Sequence, residues 1–147
     1  MAGRIAYLGN ISPQGLVLDL DAAIMGSYPK TGSTWFDISN NGNNGTLTNG
    51  PVYTGSNYGA IVFDGVDDYV TGSNSSNFAF GTGNFTVSYW MYINAFSGTG
   101  TPTFVDLRTN PAGGGPGYSD YIQSNKFKLW WSNADRYIST GSLTTGS

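Results

Sequence analysis

Segments in which apolar and polar residues alternate, separated by Gly and Asn, make up most of this chain. A period of two is the pattern of a β-strand, whose successive side chains point to opposite faces. The longest such segment, Phe85–Asn94, places Phe85, Val87, Tyr89, Met91 and Ile93 on one face. Many short alternating segments, together with Gly at 22 positions, predict an all-β protein, specifically an antiparallel β-sandwich without long helices.

The alternation also predicts where the strands lie along the chain. They are Gly15–Asp21, Tyr58–Asp64, Tyr69–Thr71, Phe85–Asn94, Thr103–Arg108, Tyr118–Gln123, Lys126–Trp131 and a shorter Arg136–Ser139. Gln123–Lys126 is predicted to be a hairpin turn. Ser27–Pro51 is rich in Asn-Gly pairs, which mark tight turns, so we expect a loop there. Within it, Trp35–Ser39 is expected to form a short helical turn in which Asp37 and Ser39 accept hydrogen bonds from nearby backbone donors.

Aromatic side chains on both faces of Phe85–Asn94 indicate a central strand covered on both sides, with Trp90 and Tyr92 in the core. The alternative is that these two rings form a platform on which sugars stack. Trp130 and Trp131 are neighbours in a predicted strand and therefore point to opposite faces. One of them is expected to face outward and to contact a glycan or a protein partner.

The residue types that are missing exclude several kinds of chemistry. The chain has no His and no Cys, which excludes the usual zinc sites and His-activated nucleophiles. All nine acidic residues are Asp. Asp19 and Asp21 share a face of a predicted strand and come closest to the paired carboxylates of a glycosidase. No catalytic motif stands out, so we expect a protein that is not an enzyme.

The charge pattern restricts the partners. Six basic residues are scattered along a chain of net charge −3, which argues against a nucleic-acid partner. No apolar run reaches the roughly 18 residues of a membrane-spanning helix, and the N-terminus lacks the apolar stretch of a signal peptide. We therefore expect neither nucleic acid nor membrane as a partner.

Three carboxylates lie close together in the turn that contains Asp64, Asp67 and Asp68. Hard oxygen ligands at short spacing are what Ca²⁺ requires, although the spacing is not that of an EF-hand loop. The interpretation that we prefer is a turn in which Asp64 accepts hydrogen bonds from backbone N–H groups and Gly65 takes a positive φ. We expect no cofactor, and Ca²⁺ at these residues is the alternative.

Residues 1–14 precede the first strand and form a predicted N-terminal arm, with an edge strand of the sandwich as the alternative. Arg4, Ile5, Tyr7 and Leu8 supply a charge and an apolar stripe that a solvated tail would not need. Side chains of these types commonly dominate interface energy. We therefore predict that the arm carries assembly contacts.

Several segments together resemble the laminin-G-like branch of the concanavalin A-like jelly rolls. They are Gly15–Ala23, Ser27–Pro29 with Trp35–Ser39, Asn40–Leu47, Ile61–Val70 and Phe85–Trp90. The resemblance implies one jelly-roll domain over residues 15–147. Relatives in this family have further strands, so the jelly roll is expected to be incomplete at its C-terminus, either truncated or completed by another chain. The Glu-bearing motif of the glucanases on this fold is absent.

The short arm and the Asn-Gly-rich loop are similar to those of domains in tailed-phage virion proteins. The resemblance implies a virion structural protein, such as a capsid decoration, head fibre or tail component, that assembles with other virion proteins and as a homo-oligomer. A carbohydrate-binding module for attachment to the host surface is the alternative function. A glycoside hydrolase is the third class, and the lack of Glu argues against it.

Overall fold

The computed structural model describes residues 12–81, 83–95, 101–108 and 117–131, together with the backbone of residues 134–137. Within these ranges the chain consists of antiparallel strands and two short 3₁₀ turns, Ser56–Tyr58 and Ser76–Phe78, without an α-helix. Residues 1–77 and 78–147 form two compact units. The all-β class is therefore confirmed, whereas the jelly-roll sandwich and the division into an arm and one domain stay predictions.

The first unit contains two small sheets. Its strands are β1 (Thr34–Trp35), β2 (Gly45–Thr48), β3 (Val52–Thr54), β4 (Ala60–Val62) and β5 (Tyr69–Thr71). One sheet has the order β1-β2-β5 and the other pairs β3 with β4. The bounds of β5 are those predicted, and β4 lies inside its predicted segment. The expected helical turn at Trp35 is wrong, because Trp35 pairs with Gly45 in a strand.

Close packing explains why β1 and β2 form within Ser27–Pro51, which was predicted to be a loop. A Cβ at Gly45 would lie 2.7 Å from Val70 Cγ1, so only Gly allows the strands to approach this closely. Tyr28 is almost fully buried, and its ring makes an edge contact with Trp35 at 6.4 Å between centroids. Leu47 is buried in β2. Tertiary packing thus outweighs the turn signal of the Asn-Gly pairs.

The predicted strand Gly15–Asp21 is not a strand in the structure. Its backbone groups form hydrogen bonds with polar side chains instead of with a neighbouring strand. The carbonyl of Val17 accepts a hydrogen bond from Asn43 Nδ2 (2.7 Å). The amide of Asp19 donates to Asp37 Oδ1 (3.0 Å), although its carbonyl accepts from the backbone of Ile38. Leu18 is correspondingly exposed instead of facing a core.

The second unit contains a four-stranded antiparallel sheet with the order β6-β7-β8-β9. Its strands are β6 (Thr103–Asp106), β7 (Tyr118–Gln123), β8 (Lys126–Trp131) and β9 (Ala134–Tyr137). The bounds of β7 and β8 match the prediction, whereas β9 begins two residues earlier than predicted. The hairpin turn is confirmed, since Ser124 and Asn125 have φ of 54° and 56°, as a two-residue turn between twisted strands requires.

One face of this sheet forms an aromatic core. Tyr118 and Ile122 are buried in β7, and Phe127 of β8 stacks on Phe104 at 6.1 Å between centroids. The register between β6 and β7 shifts between Thr103 and Val105. Such a bulge re-aims a side chain, and here it places Phe104 on the core face.

The segment Phe85–Asn94 departs most from expectation, because it is not part of a described strand. Phe85 does pack, stacking between Phe80 (4.5 Å) and Trp131 (4.8 Å). Trp90, however, is fully exposed, and 68 % of Tyr92 is accessible. The prediction that Trp90 and Tyr92 lie in a core is therefore wrong for these ranges.

Candidate functional site

The two neighbouring tryptophans of β8 lie on opposite faces of the second sheet. Trp131 packs against Phe85 on the aromatic core face. Trp130 lies on the other face, where it lines an open groove of about 200 Å³. The outward-facing member of the pair is therefore Trp130. Its contact with a glycan or a protein stays a prediction.

The groove is formed by residues from the loop before β6, from β6 and its C-terminal end, from β7 and from β8. Its lining residues are Thr101, Thr103, Arg108, Tyr121, Gln123 and Trp130. Hairpin register explains part of this set, because Gln123 pairs with Lys126, so Tyr121 and Trp130 follow on the same face. The set thus combines two aromatic rings with hydroxyl, amide and guanidinium groups.

Arg108, which is the charged residue among the described lining residues, is paired with a carboxylate. Arg108 Nη2 lies 2.6 Å from Asp106 Oδ2, and Nε donates to Oδ1 at 2.9 Å. This hydrogen bonding raises the pKa of Arg108, so the guanidinium stays charged. Its carbon Cζ lies 5.9 Å from the centroid of the Trp130 ring, in the range of a cation–π contact. Asp106 therefore holds Arg108 against the tryptophan.

A second cation, Lys128, lies on the same face of the sheet as the groove. Lys128 is only 6 % exposed, and its Nζ donates to Gln123 Oε1 through a short hydrogen bond. The same ammonium lies 5.9 Å from the centroid of the Tyr121 ring. Lys128 thereby fixes two lining side chains, so that part of the groove is preorganised.

A second exposed feature is the run Tyr89–Trp90–Met91–Tyr92, which we call the aromatic segment. The exposed fractions of these four side chains are 37 %, 103 %, 45 % and 68 %. Tyr89 anchors the segment, because its hydroxyl donates to Asp120 Oδ2 at 2.5 Å. The segment thus presents large apolar groups that are tied to the sheet at one end.

Asp120 is fully buried in the middle of β7, and no sequence pattern indicates its role. It accepts hydrogen bonds from the hydroxyls of Tyr89 and Tyr118 and from the amide of Val105 (2.7 Å) at the bulge. Burial, followed by the hydrogen bond to Asp120, raises the pKa of both tyrosines, so they remain donors. The site is structural, since each carboxylate oxygen is engaged.

The turn that contains Asp64, Asp67 and Asp68 has the backbone hydrogen bonding and the positive φ at Gly65 that we expected. Asp64 Oδ1 accepts from the amide of Val66 (2.8 Å), which lowers the pKa of Asp64, and Gly65 has φ of 75°. Carboxylate oxygens of Asp64, Asp67 and Asp68 lie within 4.8 Å of one another. This cluster is the only group of potential metal ligands of its kind in the described ranges, and a role in binding Ca²⁺ stays a prediction.

The carboxylate of Asp19 lies near those of Asp21 and Asp37. Burial, and then the nearby carboxylates of Asp21 and Asp37, raise the pKa of Asp19. Asp21 Oδ1 instead caps the amide of Ala23 at 2.8 Å. A raised pKa suits a general acid, but the nearest carboxylates are engaged by backbone donors.

Asp37 and Ser39 accept local hydrogen bonds, as predicted. Asp37 accepts from the amides of Asp19, Ser39 and Asn43 and from the Ser39 hydroxyl, and Ser39 Oγ accepts from the amide of Asn41. Burial alone would raise the pKa of Asp37, but these bonds together outweigh burial and lower it. Asp37 is therefore an ionised structural group.

The four residues predicted to carry assembly contacts, Arg4, Ile5, Tyr7 and Leu8, lie outside the described residues. Among the residues described, no helix is long and apolar enough to cross a membrane.

Comparison with protein-family models, with curated proteins and with solved structures gives no match to this chain. The resemblance to laminin-G-like jelly rolls therefore stays a prediction from the sequence, and the function is argued below from the two exposed features of the second unit.

Proposed function

We propose that this chain is a non-enzymatic structural protein of a virion, whose β-structure serves protein–protein assembly on a capsid or tail lattice. The observation that carries the proposal is the exposure of the aromatic segment. Trp, Tyr and Met are enriched at protein interfaces, and buried Trp and Tyr commonly dominate binding energy. Four such residues in a row, one of them fully exposed, are typical of a contact surface.

The composition of the segment supports a protein partner. Phe85–Asn94 contains no charged residue, so neither like-charge repulsion nor desolvation of a charge opposes its burial. The hydrogen bond from Tyr89 to Asp120 already restrains one end of the segment, so less conformational entropy would be lost on binding. A partner surface, either another virion protein or a second copy of the chain, would cover Trp90.

We propose on chemical grounds that the chain is not an enzyme. Hydrolysis of a glycosidic bond usually requires a general acid and a second carboxylate at a set separation. Asp19 has the raised pKa of an acid, but Asp21 and Asp37 bind backbone amides. Turnover of laminarin, alginate or peptidoglycan that disappears in the Asp19→Asn, Asp21→Asn double variant would contradict this part of the proposal.

The test of assembly uses phage that carry Trp90→Ala, with Tyr58→Ala as the matched control. Tyr58 is 94 % exposed and lies in the first unit, so its loss removes an exposed ring elsewhere. We expect purified particles to lack most copies of the Trp90 variant and to retain the Tyr58 variant. Normal incorporation of the Trp90 variant would exclude the aromatic segment as the contact.

Deletion of residues up to Pro13 tests the predicted arm in the same assay. If the arm carries docking contacts, the truncated protein should fold but fail to join the particle. Circular dichroism of the isolated protein provides the control for folding. Normal incorporation of the truncated protein would refute the role of the arm.

Glycan binding is the second candidate function, favoured by the groove at Trp130. An aromatic ring beside hydroxyl, amide and guanidinium groups is suited to a sugar, whose C–H face packs on the ring while its hydroxyls form hydrogen bonds. A glycan array tests this function. Signals that disappear with Trp130→Ala, but not with Trp90→Ala, would support it. Because an array can miss millimolar binding, the result that would contradict it is the absence of binding in an NMR titration as well.

A further inference from the structure

We infer that the groove at Trp130 selects uncharged, hydroxyl-rich sugars over acidic ones. This inference deepens the second candidate function and rests on it, since it names the ligand class of the same groove. The geometry points to this class through the pairing of charges, the chemistry of the lining and the size of the groove.

The pairing of Arg108 argues against an anionic ligand. Its Nε–Nη2 edge is occupied by the carboxylate of Asp106, so a sugar carboxylate would meet a guanidinium whose charge is already neutralised. The pair as a whole is neutral, and it offers both acceptor lone pairs and N–H donors that do not bond to Asp106. Such a pair can bind a hydroxyl, which both donates and accepts, without a net charge on the ligand.

Lys128 does not change this balance. Lys128 lies on the same face of the sheet as Tyr121 and Trp130, but it is only 6 % exposed and its ammonium is bonded to Gln123 Oε1, so burial shields its charge from a ligand in the groove. This contact occupies the Gln123 oxygen and leaves the amide N–H groups to donate. At longer range the chain carries a net charge of −3, which disfavours the approach of an acidic polysaccharide.

Within the described part of the chain, the other lining groups are uncharged and suit hydroxyls. Thr101, Thr103 and Tyr121 each carry a hydroxyl, and the Trp130 ring supplies an apolar surface. A volume of about 200 Å³ is smaller than the roughly 300–1,000 Å³ of pockets for drug-sized ligands. The groove therefore accommodates one sugar residue, with the rest of the oligosaccharide on the surface, and its affinity should lie in the millimolar range.

The experiment measures binding of tetrasaccharides to the full chain by NMR titration at low and high salt. The neutral probes are laminaritetraose, cellotetraose and maltotetraose, and the acidic probes are tetramers of galacturonate and of alginate. We expect at least one neutral probe to bind about tenfold more tightly than either acidic probe, with an affinity that salt does not change. Tighter binding of an acidic probe would overturn the inference.

Variants test the physical reason. Asp106→Asn should free the charge of Arg108 and strengthen binding of the acidic probes by about tenfold, while neutral binding changes little. Trp130→Ala should weaken neutral binding about tenfold, and the isosteric Thr103→Val should weaken it less while preserving the strand. Trp90→Ala is the control that leaves binding unchanged.

The outcomes separate the inference from the function on which it rests. If no probe of either class binds, glycan binding itself fails and the inference fails with it. If neutral and acidic probes bind equally, or if Asp106→Asn leaves acidic binding unchanged, the inference alone is wrong and the groove remains a glycan site.

Discussion

The two units of this chain are stabilised by different kinds of interaction. In the first, short strands of two to four residues are held by side chains that bond to backbone groups. Asp37 accepts hydrogen bonds from three backbone amides and one hydroxyl, and the buried Asn43 donates to the Val17 carbonyl and accepts from the Ser73 hydroxyl. In the second, two six-residue strands pair along their whole length, and stacked aromatic rings cover one face.

This difference indicates which substitutions should destabilise each unit. A unit held by polar side chains depends on a few hub residues near its surface, and it responds to pH. A unit held by strand pairing and aromatic packing depends on its buried groups. Asp120 is an exception in the second unit, because it is a buried polar residue that accepts several hydrogen bonds beside the aromatic core.

The largest effect is expected for Asp120→Ala. Loss of the carboxylate leaves two tyrosine hydroxyls and the Val105 amide without their acceptor, at a cost of about 3 kcal/mol or more in the free energy of unfolding. Denaturant titration followed by tryptophan fluorescence measures it. Asp120→Asn keeps the shape and one acceptor and should cost less. A loss below about 1 kcal/mol for the alanine variant would contradict the role of this hub.

Asp37→Ala should destabilise the first unit by about 2 kcal/mol, since it removes four hydrogen bonds from a partly exposed carboxylate. Asp67→Ala, at an exposed turn, is the matched control and should cost less than about 0.5 kcal/mol. Because the pKa of Asp37 is lowered in the folded state, its stabilisation is present above the ordinary value of 3.8. It should be lost as pH falls below 3.8, and a variant whose stability has the same acid dependence as the wild type would contradict this.

The smallest effect is expected for Asp19→Asn, and its sign is opposite. Burial and two nearby carboxylates raise the pKa of Asp19, so its ionised form is unfavourable in the folded state. The penalty grows as pH rises from 3.8 through the raised value, and Asn removes it. We expect a gain of less than about 1 kcal/mol at neutral pH and none at pH below 3.8. Destabilisation at neutral pH would show that the carboxylate is needed.

The sequence predicts the second unit well where strand pairing decides the structure. Tyr118–Gln123 and Lys126–Trp131 alternate in polarity and flank a two-residue turn, and both strands have the predicted bounds. Counting back from that turn also places Tyr121 and Trp130 on one face. The hairpin register therefore accounts for Tyr121, Gln123 and Trp130 of the groove, but not for Thr101, Thr103 and Arg108, which lie in β6 or next to it.

The sequence predicts the first unit less well, because side-chain bonds to backbone have no period. Gly15–Asp21 alternates like a strand, yet its carbonyls and amides bond to Asn43 and Asp37 instead of a neighbouring strand. Phe85–Asn94 shows the same limit in the second unit. Its pattern is that of a covered strand, but Trp90 is exposed, since alternation indicates strand character and not which partner covers it.

The proposed function is that of a structural component of a virion. Quantitative mass spectrometry of purified phage particles tests it most directly, by measuring the copy number of this protein against that of the major capsid protein. We expect a fixed copy number that is the same in independent preparations and that falls sharply with Trp90→Ala. Absence of the protein from purified particles, or trace amounts that vary between preparations, would contradict the account.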